Sequence, residues 1–445
     1  MKNTMESCTE DILNNVVFEE TLMNSEDDVF KQNTAIETPA GEVLRISNIF
    51  AANTLLELSK SSWSRSANAK SNIQPYLRGC KWSPDGTCCL SIVNNDGMHV
   101  IDLPRDLYGD SVDIGRPIDI LNSVIHVKES GLVYDFCWYP GMNSSYPETC
   151  CWLTTLQNSP IQLWDAFDGS LRCTYRGFNS VDEMEPAVSV TFSADGSKVV
   201  AGYKKCLKTF DVSRPGRECC DHKISSPASS MAVDNNLLAV GSWNTTITLY
   251  SVKDEGTYKS IGTMHGHSGG VTHMKFTPDG LKLVSGGRKD HRLLVWDIRY
   301  YRKPLNILTR VVKTNQRIYF DISPCGRYLV SGGTDGILRV WDSNNIDWIN
   351  DIDFEDTNAD CTYKFPLHRD CCNSVAIHPF KRILATGSGQ QHYKDPVSED
   401  EDICEDEKNS FKDIKPKVNG NNEMIYSEYS ENNLAFWWTG DVPLV

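Results

Sequence analysis

Ser268 sits in GHSGG at residues 266–270, a G-x-S-x-G spacing that suits an acyl-transfer nucleophile when a strand leads in and a helix leads out. Here the following residues, VTHMKF, alternate apolar and polar in strand fashion and feed KFTPDG at 275–280, so the elbow lacks its helix and Ser268 reads as a turn serine. The ten histidines show neither H-E-x-x-H nor another paired ligand spacing, and no metal or cofactor is expected. Among sixteen cysteines are four adjacent pairs, Cys88-Cys89, Cys150-Cys151, Cys219-Cys220 and Cys371-Cys372. None has the C-x2-C spacing that closes two thiolates on one zinc, so they are expected as small buried hydrophobes. The glycines of SGGRKD and SGGTDG open hairpins, since no helix follows to present its amides to a phosphate.

What remains is charge. Residues 1–40 hold nine acids against two bases and residues 395–408 hold eight against one, so nearly all of the formal −15 sits in two segments and the rest of the chain is close to neutral. Residues 281–320 reverse the sign, with ten Lys or Arg against Asp290 and Asp297. A local basic patch sets the field at a binding face whatever the overall pI. RKDHR, RYYRK and RVVKTNQRIY within it interleave cations with Tyr300, Tyr301 and Tyr319, a mixture suited to phosphates and unpaired bases. A solvated rim, or a protein-only adaptor surface meeting an acidic partner segment, fits the same charges. No run of eighteen apolar residues and no signal-peptide pattern is present, so a reduced, soluble protein is expected.

The elements that must carry these residues repeat. A unit recurs every 40 to 55 residues and opens on a strand ending in a turn: KWSPDG at 81–86, CWYPG at 137–141, TFSADG at 191–196, KFTPDG at 275–280, DISPCG at 321–326 and AIHPF at 376–380. Proline fixes φ and glycine supplies φ > 0, which is hairpin chemistry. A small-residue strand follows, then one ending in Trp-Asp or a relic of it: MHVID, IQLWD, LKTFD, ITLY, LLVWD, LRVWD and LAFWW. Seven endings predict an all-β, seven-bladed WD40 β-propeller with almost no helix. His267, Ser285, Asp290 and Trp296 fall where such a blade places a buried hydrogen-bond network, a structural role. LLELSKSSW at 55–63 is the expected closing strand, which gives a disordered acidic region over 1–54 and a propeller over 55–445 with a disordered acidic insertion at 390–430 in its last blade.

Longer strings are more specific than the repeat. GCKWSPDGT at 79–87, VYDFCWYPGM at 133–142, SPIQLWDAFDGSLRCTYRGFNSVDE at 159–183, SGGRKDHRLLVWDIR at 285–299, TNQRIYFDISPCGRYLVSGG at 314–333 and ENNLAFWWTGDV at 431–442 closely resemble the telomerase Cajal body protein family. The resemblance implies a nuclear, non-enzymatic RNA-binding scaffold of Cajal bodies that recognises the CAB box of small Cajal body RNAs, of H/ACA and some C/D type, and telomerase RNA where present. It further implies association with dyskerin-containing particles, coilin, the survival-of-motor-neuron complex and the cytosolic chaperonin. On this reading, loops of blades three to six form one RNA-binding rim. Arg288, Lys289, Lys313 and Arg317 meet phosphates or guanine edges, Tyr319 and Tyr175 stack on bases, and Arg172 and Arg176 flank them.

Overall fold

The computed structural model describes residues 50, 55–64, 74–113, 115–129, 131–253, 257–345, 358–359, 361–392 and 431–440. The expected acidic N-terminal region and the expected 390–430 insertion fall almost wholly outside them. The described residues form seven sheets, antiparallel except where Asp119–Ile120 and Asn358–Ala359 add a parallel edge to two of them, and, apart from three short 3-10 turns, no helix. No helix among them is long and apolar enough to cross a membrane.

Each sheet is one blade, built outward from an inner strand: Leu77–Trp82, Val133–Trp138, Ser189–Phe192, Ala228–Asp234, Val271–Phe276, Phe320–Ile322 and Cys372–Ile377, for blades 1 to 7. The seven endings read from the sequence are the third strands, from Gly97–Asp102 in blade 1 to Asn433–Trp438 in blade 7. Each blade carries a fourth, outer strand; the sequence reading names the one that closes blade 7, at 55–63, and does not register the others, which carry no shared signature. In blade 1 the outer strand is Ile125–Val127, reached by a long excursion after Asp102.

The first turns form as their residues dictate. In blade 1, Asp85 Oδ1 accepts from the Ser83 hydroxyl at 2.7 Å and the Thr87 amide at 3.2 Å, and Gly86 has φ 72°. A Cβ on Gly86 would lie 2.4 Å from the His378 ring of blade 7, so this glycine serves both the turn and the seam between blades. Ser193 with Asp195, and Thr277 with Asp279, repeat the arrangement in blades 3 and 5.

Apolar side chains interlock between successive blades. Trp138, Trp152 and Trp164 of blade 2 pack with Leu90, Met98 and Val100 of blade 1, and Trp152, Trp296 and Trp341 are fully buried. Each such indole removes enough surface from water to contribute roughly 4–6 kcal/mol, an upper figure for an extended unfolded chain. Cys88, Cys89, Cys150, Cys151, Cys371 and Cys372 are buried as expected, whereas Cys219 is half-exposed and Cys220 exposed on the edge of blade 3. The expectation of burial fails there because this pair leads into an outer strand, Cys220–Lys223, with no further blade strand beyond it.

Closure is made by the strand Leu56–Ser62, which pairs antiparallel with Asn433–Trp438, Leu56 opposite Trp438 and Ser62 opposite Asn433. Leu58 is buried with Leu77, Ile383, Leu434 and Phe436, tying the start of the ring to blades 1 and 7. Removing residues 1–63 uncovers one edge of Asn433–Trp438 and part of this cluster, so the truncated protein is expected to lose soluble monomer on size exclusion and unfold at lower temperature. A monomer of unchanged melting temperature would mean that another segment seals blade 7.

Candidate nucleic-acid interface

Because the strands of a blade alternate in direction, its second turn and the connection to the next blade open on one face, here the linker face. The first and third turns open on the opposite, hairpin face. This division splits the basic block. Arg288 and Lys289 lie in the second turn of blade 5, and Lys313 and Arg317 in the connection to blade 6, all at the linker face. Arg299, Arg302 and Lys303 lie in the third turn of blade 5, at the hairpin face, where Arg299 is paired with Asp297 at 2.7 Å. Arg292 pairs with Asp290 at 3.0 Å. Arg310 is buried, donating to the Ile318 carbonyl and the Ser331 hydroxyl at 3.0 and 2.9 Å, and burial pulls its guanidinium down to about 10. The block is therefore not one continuous crown.

Arg288 and Lys289 are exposed, and Lys289 has φ 48°, a left-handed turn position. The Arg288 guanidinium lies 5.7 Å from the ring centre of Trp243, itself 41% exposed in the second turn of blade 4. Lys313 is exposed. Arg317 turns inward from blade 6 and crosses the central channel, pairing with Asp135 of the blade 2 inner strand at 2.8 Å and donating to the Ser229 carbonyl of blade 4 at 3.3 Å. It also donates to the Tyr319 hydroxyl at 3.2 Å. Arg176 is exposed at the outer edge, beyond the outer strand of blade 2.

Three of the expected contacts are corrected by burial or pairing. Tyr175 is completely buried, its ring against Phe210 and its hydroxyl donating to the Val212 carbonyl at 2.9 Å, so no base stacks on it. Tyr319 is 4% exposed, held between His273 and Phe136, and its faces are occupied by protein. Arg172 pairs with Asp165 at 2.7 Å and donates to the carbonyls of Pro147, Glu148 and Cys150, locking the first turn of blade 2 at the hairpin face. Arg172 and Tyr175 belong to the outer strand of blade 2, Leu171–Tyr175, and Tyr319 stands just before the inner strand of blade 6, so blade interfaces and the blade's own turns take up their side chains.

Two residues that the sequence reading did not single out join the site. Arg78, in the inner strand of blade 1, and Gln316, in the connection to blade 6, stand beside Arg317 at the channel mouth. Burial lowers the Arg78 guanidinium, and the charge of Arg317 lowers it further; Arg288 is lowered by the same two causes. Arg78 Nη1 and both amide atoms of Gln316 are buried without a hydrogen-bond partner. Arg78 of blade 1 and Arg288 of blade 5 thus each feel the charge of Arg317 from blade 6, and Arg78 and Gln316 keep polar atoms that no protein group takes up, chemistry suited to an anion that accepts planar hydrogen bonds.

The network anticipated in blade 5 is linked throughout. His267 Nδ1 and Asp290 Oδ2 are 2.9 Å apart, His267 Nε2 and Ser285 Oγ 2.8 Å, and Trp296 Nε1 donates to Ser285 Oγ at 2.8 Å. With Asp290 accepting from Nδ1, Nε2 accepts the Ser285 hydroxyl, and every member is satisfied. Burial alone would raise the Asp290 carboxyl, but bonds from His267, Arg292 and the Ser268 amide hold it well below the usual range. Ser268 gives its amide to Asp290 and is followed by the strand Val271–Phe276, not a helix.

Blade 7 repeats this network with substitutions. Trp437 Nε1 donates to Thr386 Oγ1 at 2.7 Å, which meets His368 Nε2 at 2.8 Å, and His368 Nδ1 meets Glu431 at 3.1 Å. Glu431 escaped sequence reasoning because the residues after 389 separate it from the glycines that mark the turn in other blades.

A ring of seven four- and five-stranded blades with a buried Trp-Ser-His-Asp chain defines a WD-repeat β-propeller. The family described as WD domain, G-beta repeat matches residues 258–297, 313–342 and 359–392. The chain is 42% identical over 395 residues to Telomerase Cajal body protein 1 homolog of Drosophila melanogaster, covering 87% of this chain and 69% of that one. It is 36% identical to Telomerase Cajal body protein 1 of Mus musculus, covering 86% and 69%, and 35% identical to that of Homo sapiens, covering 86% and 66%. The chain belongs to the telomerase Cajal body protein family.

Glu431 gives the blade 7 network a pH signature. Burial alone would raise its carboxyl, but bonds from His368, the Arg369 amide and Asn433 hold it at about 2, against an ordinary 4.5. A folded-state value below the unfolded one means that the ionised group stabilises the fold fully above about pH 4.5, and that this contribution fades as pH falls toward 2. Glu431→Gln is expected to lower stability by about 1–3 kcal/mol at pH 7 in urea titrations. The gap to wild type narrows below pH 4.5; an equal gap at pH 7 and pH 3 would contradict the assignment.

Proposed function

We propose that the linker face binds a single-stranded loop of small Cajal body RNAs, at their CAB box, and that the protein carries these RNAs, and telomerase RNA where present, to Cajal bodies of the nucleus. The role is that of a scaffold without catalysis or cofactor. The observation that carries this reading is that exposed Arg288, Lys289 and Lys313 share the linker face with Arg317, whose charge reaches both Arg288 and Arg78, while Arg78 and Gln316 keep partnerless polar atoms. Membership of a family whose relatives are named for telomerase and the Cajal body supports the choice of RNA class.

Chemistry favours a loop over a duplex. Unpaired bases expose their hydrogen-bonding edges and faces, whereas an RNA duplex hides its major-groove edges from side chains. A guanidinium presents parallel donors to a phosphate or to a guanine edge, and Arg288 over Trp243 forms a flat platform beside which a base can lie. Lys289 and Lys313 add field without geometry. Tyr175, Tyr319 and Arg172 have no part in contact, and Arg176 stands at the edge. Dyskerin-containing particles, coilin, the survival-of-motor-neuron complex and the cytosolic chaperonin are the partners proposed with the RNA.

Changing Arg288 and Lys289 together to Ala is expected to weaken binding of a CAB-box loop and to flatten its salt dependence, by about 0.7 in the log–log slope for each phosphate that the variant no longer neutralises. Arg78→Ala weakens the same binding from a blade remote in sequence. Crosslinking and sequencing of RNA bound in cells should be enriched in H/ACA guides. An empty library, with affinity and salt slope unmoved by the double variant, would reject the RNA reading in favour of a protein-only adaptor.

A further inference from the structure

Two histidines that share no motif in the sequence stand side by side in blade 1. His99, in the third strand Gly97–Asp102, is directly opposite His126, in the outer strand Ile125–Val127, and their rings stack with centroids 4.2 Å apart and planes 17° apart. Asp96, in the turn three residues before His99, faces both. Its Oδ2 lies 3.1 Å from His99 Nε2, and its Oδ1 lies 3.6 Å from His126 Nε2. One ligand atom from each of the three residues lies within 4.8 Å of the other two.

We propose that Asp96, His99 and His126 bind a divalent transition metal of the zinc class, which clamps the outer strand of blade 1 to the body of the propeller. The donor set, two imidazoles and a carboxylate, is one that zinc accepts, with bonds of about 2.0–2.2 Å and water in the remaining position. Both histidines present Nε2 toward Asp96, His99 to Oδ2 at 3.1 Å and His126 to Oδ1 at 3.6 Å and to the backbone carbonyl at 3.1 Å, and a bound ion would take the place of these contacts. One further contact has the character of support for a ligand. His99 Nδ1 meets Ser123 Oγ at 2.9 Å, so the ring is fixed with Nε2 directed at the cluster, as outer partners of metal-bound histidines do. Trp63 packs edge-on against the same ring at 5.2 Å.

Access and need agree. The His99 side chain is 4% exposed and forms the wall, while Asp96 and His126 are 36% and 30% exposed and leave the front open to an ion. The outer strand here is three residues long and returns from the excursion of residues 103–124, with Ile125 and Val127 only partly buried. A metal joining the third and outer strands supplies a fixation that three residues of β pairing do not. Sequence spacing hid the site, since Asp96 and His99 are three apart but His126 arrives only by strand register.

The test uses the full chain, stripped of metal and titrated with zinc, with melting temperature and bound metal as readouts. One equivalent is expected to bind and raise the melting temperature progressively with free zinc. His126→Ala should weaken that binding at least about tenfold while leaving the metal-free melting temperature nearly unchanged, and Ser123→Ala should weaken it less. Asp96→Asn is the second variant should His126→Ala not fold. Cobalt substitution discriminates against the exposed Cys220 and Cys325, because a nitrogen and oxygen site gives no thiolate-to-metal absorption. Absence of stoichiometric binding in the wild type, binding untouched by either ligand variant, or a thiolate band from the bound cobalt would each overturn the proposal. None of these readouts involves RNA.

Discussion

A strand from the N-terminal side must reach the third strand of the last blade, and the rest of the molecule depends on that pairing. Seven small sheets packed around an axis have no core of their own; each apolar face is covered only by the next blade, so an open ring leaves two faces and one sheet edge uncovered. Leu56–Ser62 supplies the missing edge against Asn433–Trp438, and Leu58 fills the space among Leu77, Leu434 and Phe436. Glu431 adds a polar seam at the same place, bonded to His368 and Asn433 and 3.6 Å from Lys60 of the closing strand. The network of blade 7 therefore holds a blade and the ring together.

The channel is held by a second long-range contact, from Arg317 to Asp135. A charged pair so nearly out of water contributes little net stability over an apolar replacement, but loss of either partner strands the other charge. Its value is positional. Asp135 also accepts from the Val190 amide of blade 3, so one carboxylate ties blades 2, 3 and 6, and the Arg317 contact to Ser229 adds blade 4. Side chains that span the axis in this way fix the separation of the inner strands.

The fold was legible because its information is local. Turn residues such as those of KWSPDG and KFTPDG, and the Trp-Asp endings, specify hairpins by their own φ preferences and side-chain bonds, and these repeat often enough to count blades. The exposure of Arg288, Lys289 and Lys313 was legible for the same reason: they stand in turns and connections, where side chains meet solvent. Tyr175, Tyr319 and Arg172 were misjudged because a charged, tyrosine-rich string says nothing about which face of a strand each residue takes. Arg78 was invisible, since its importance comes from Arg317, which lies far along the chain and reaches it only across the closed ring. Glu431 was hidden by the residues that separate it from its turn.

Charge counting overstated the basic block for a related physical reason. Cations in 281–320 fall on both faces, and several serve the fold: Arg292 and Arg299 meet their own aspartates, Arg310 is buried on a carbonyl and a serine, and Lys282 and Lys303 have partners as well. A neutralised pair contributes little field beyond a Debye length, about 8 Å at physiological salt, so what a ligand senses is the remainder. Arg317, although paired with Asp135, still lowers the proton affinity of Arg78 and of Arg288. The field at the linker face thus depends on which cations stand exposed there, Arg288, Lys289 and Lys313, more than on how many cations the surrounding sequence contains.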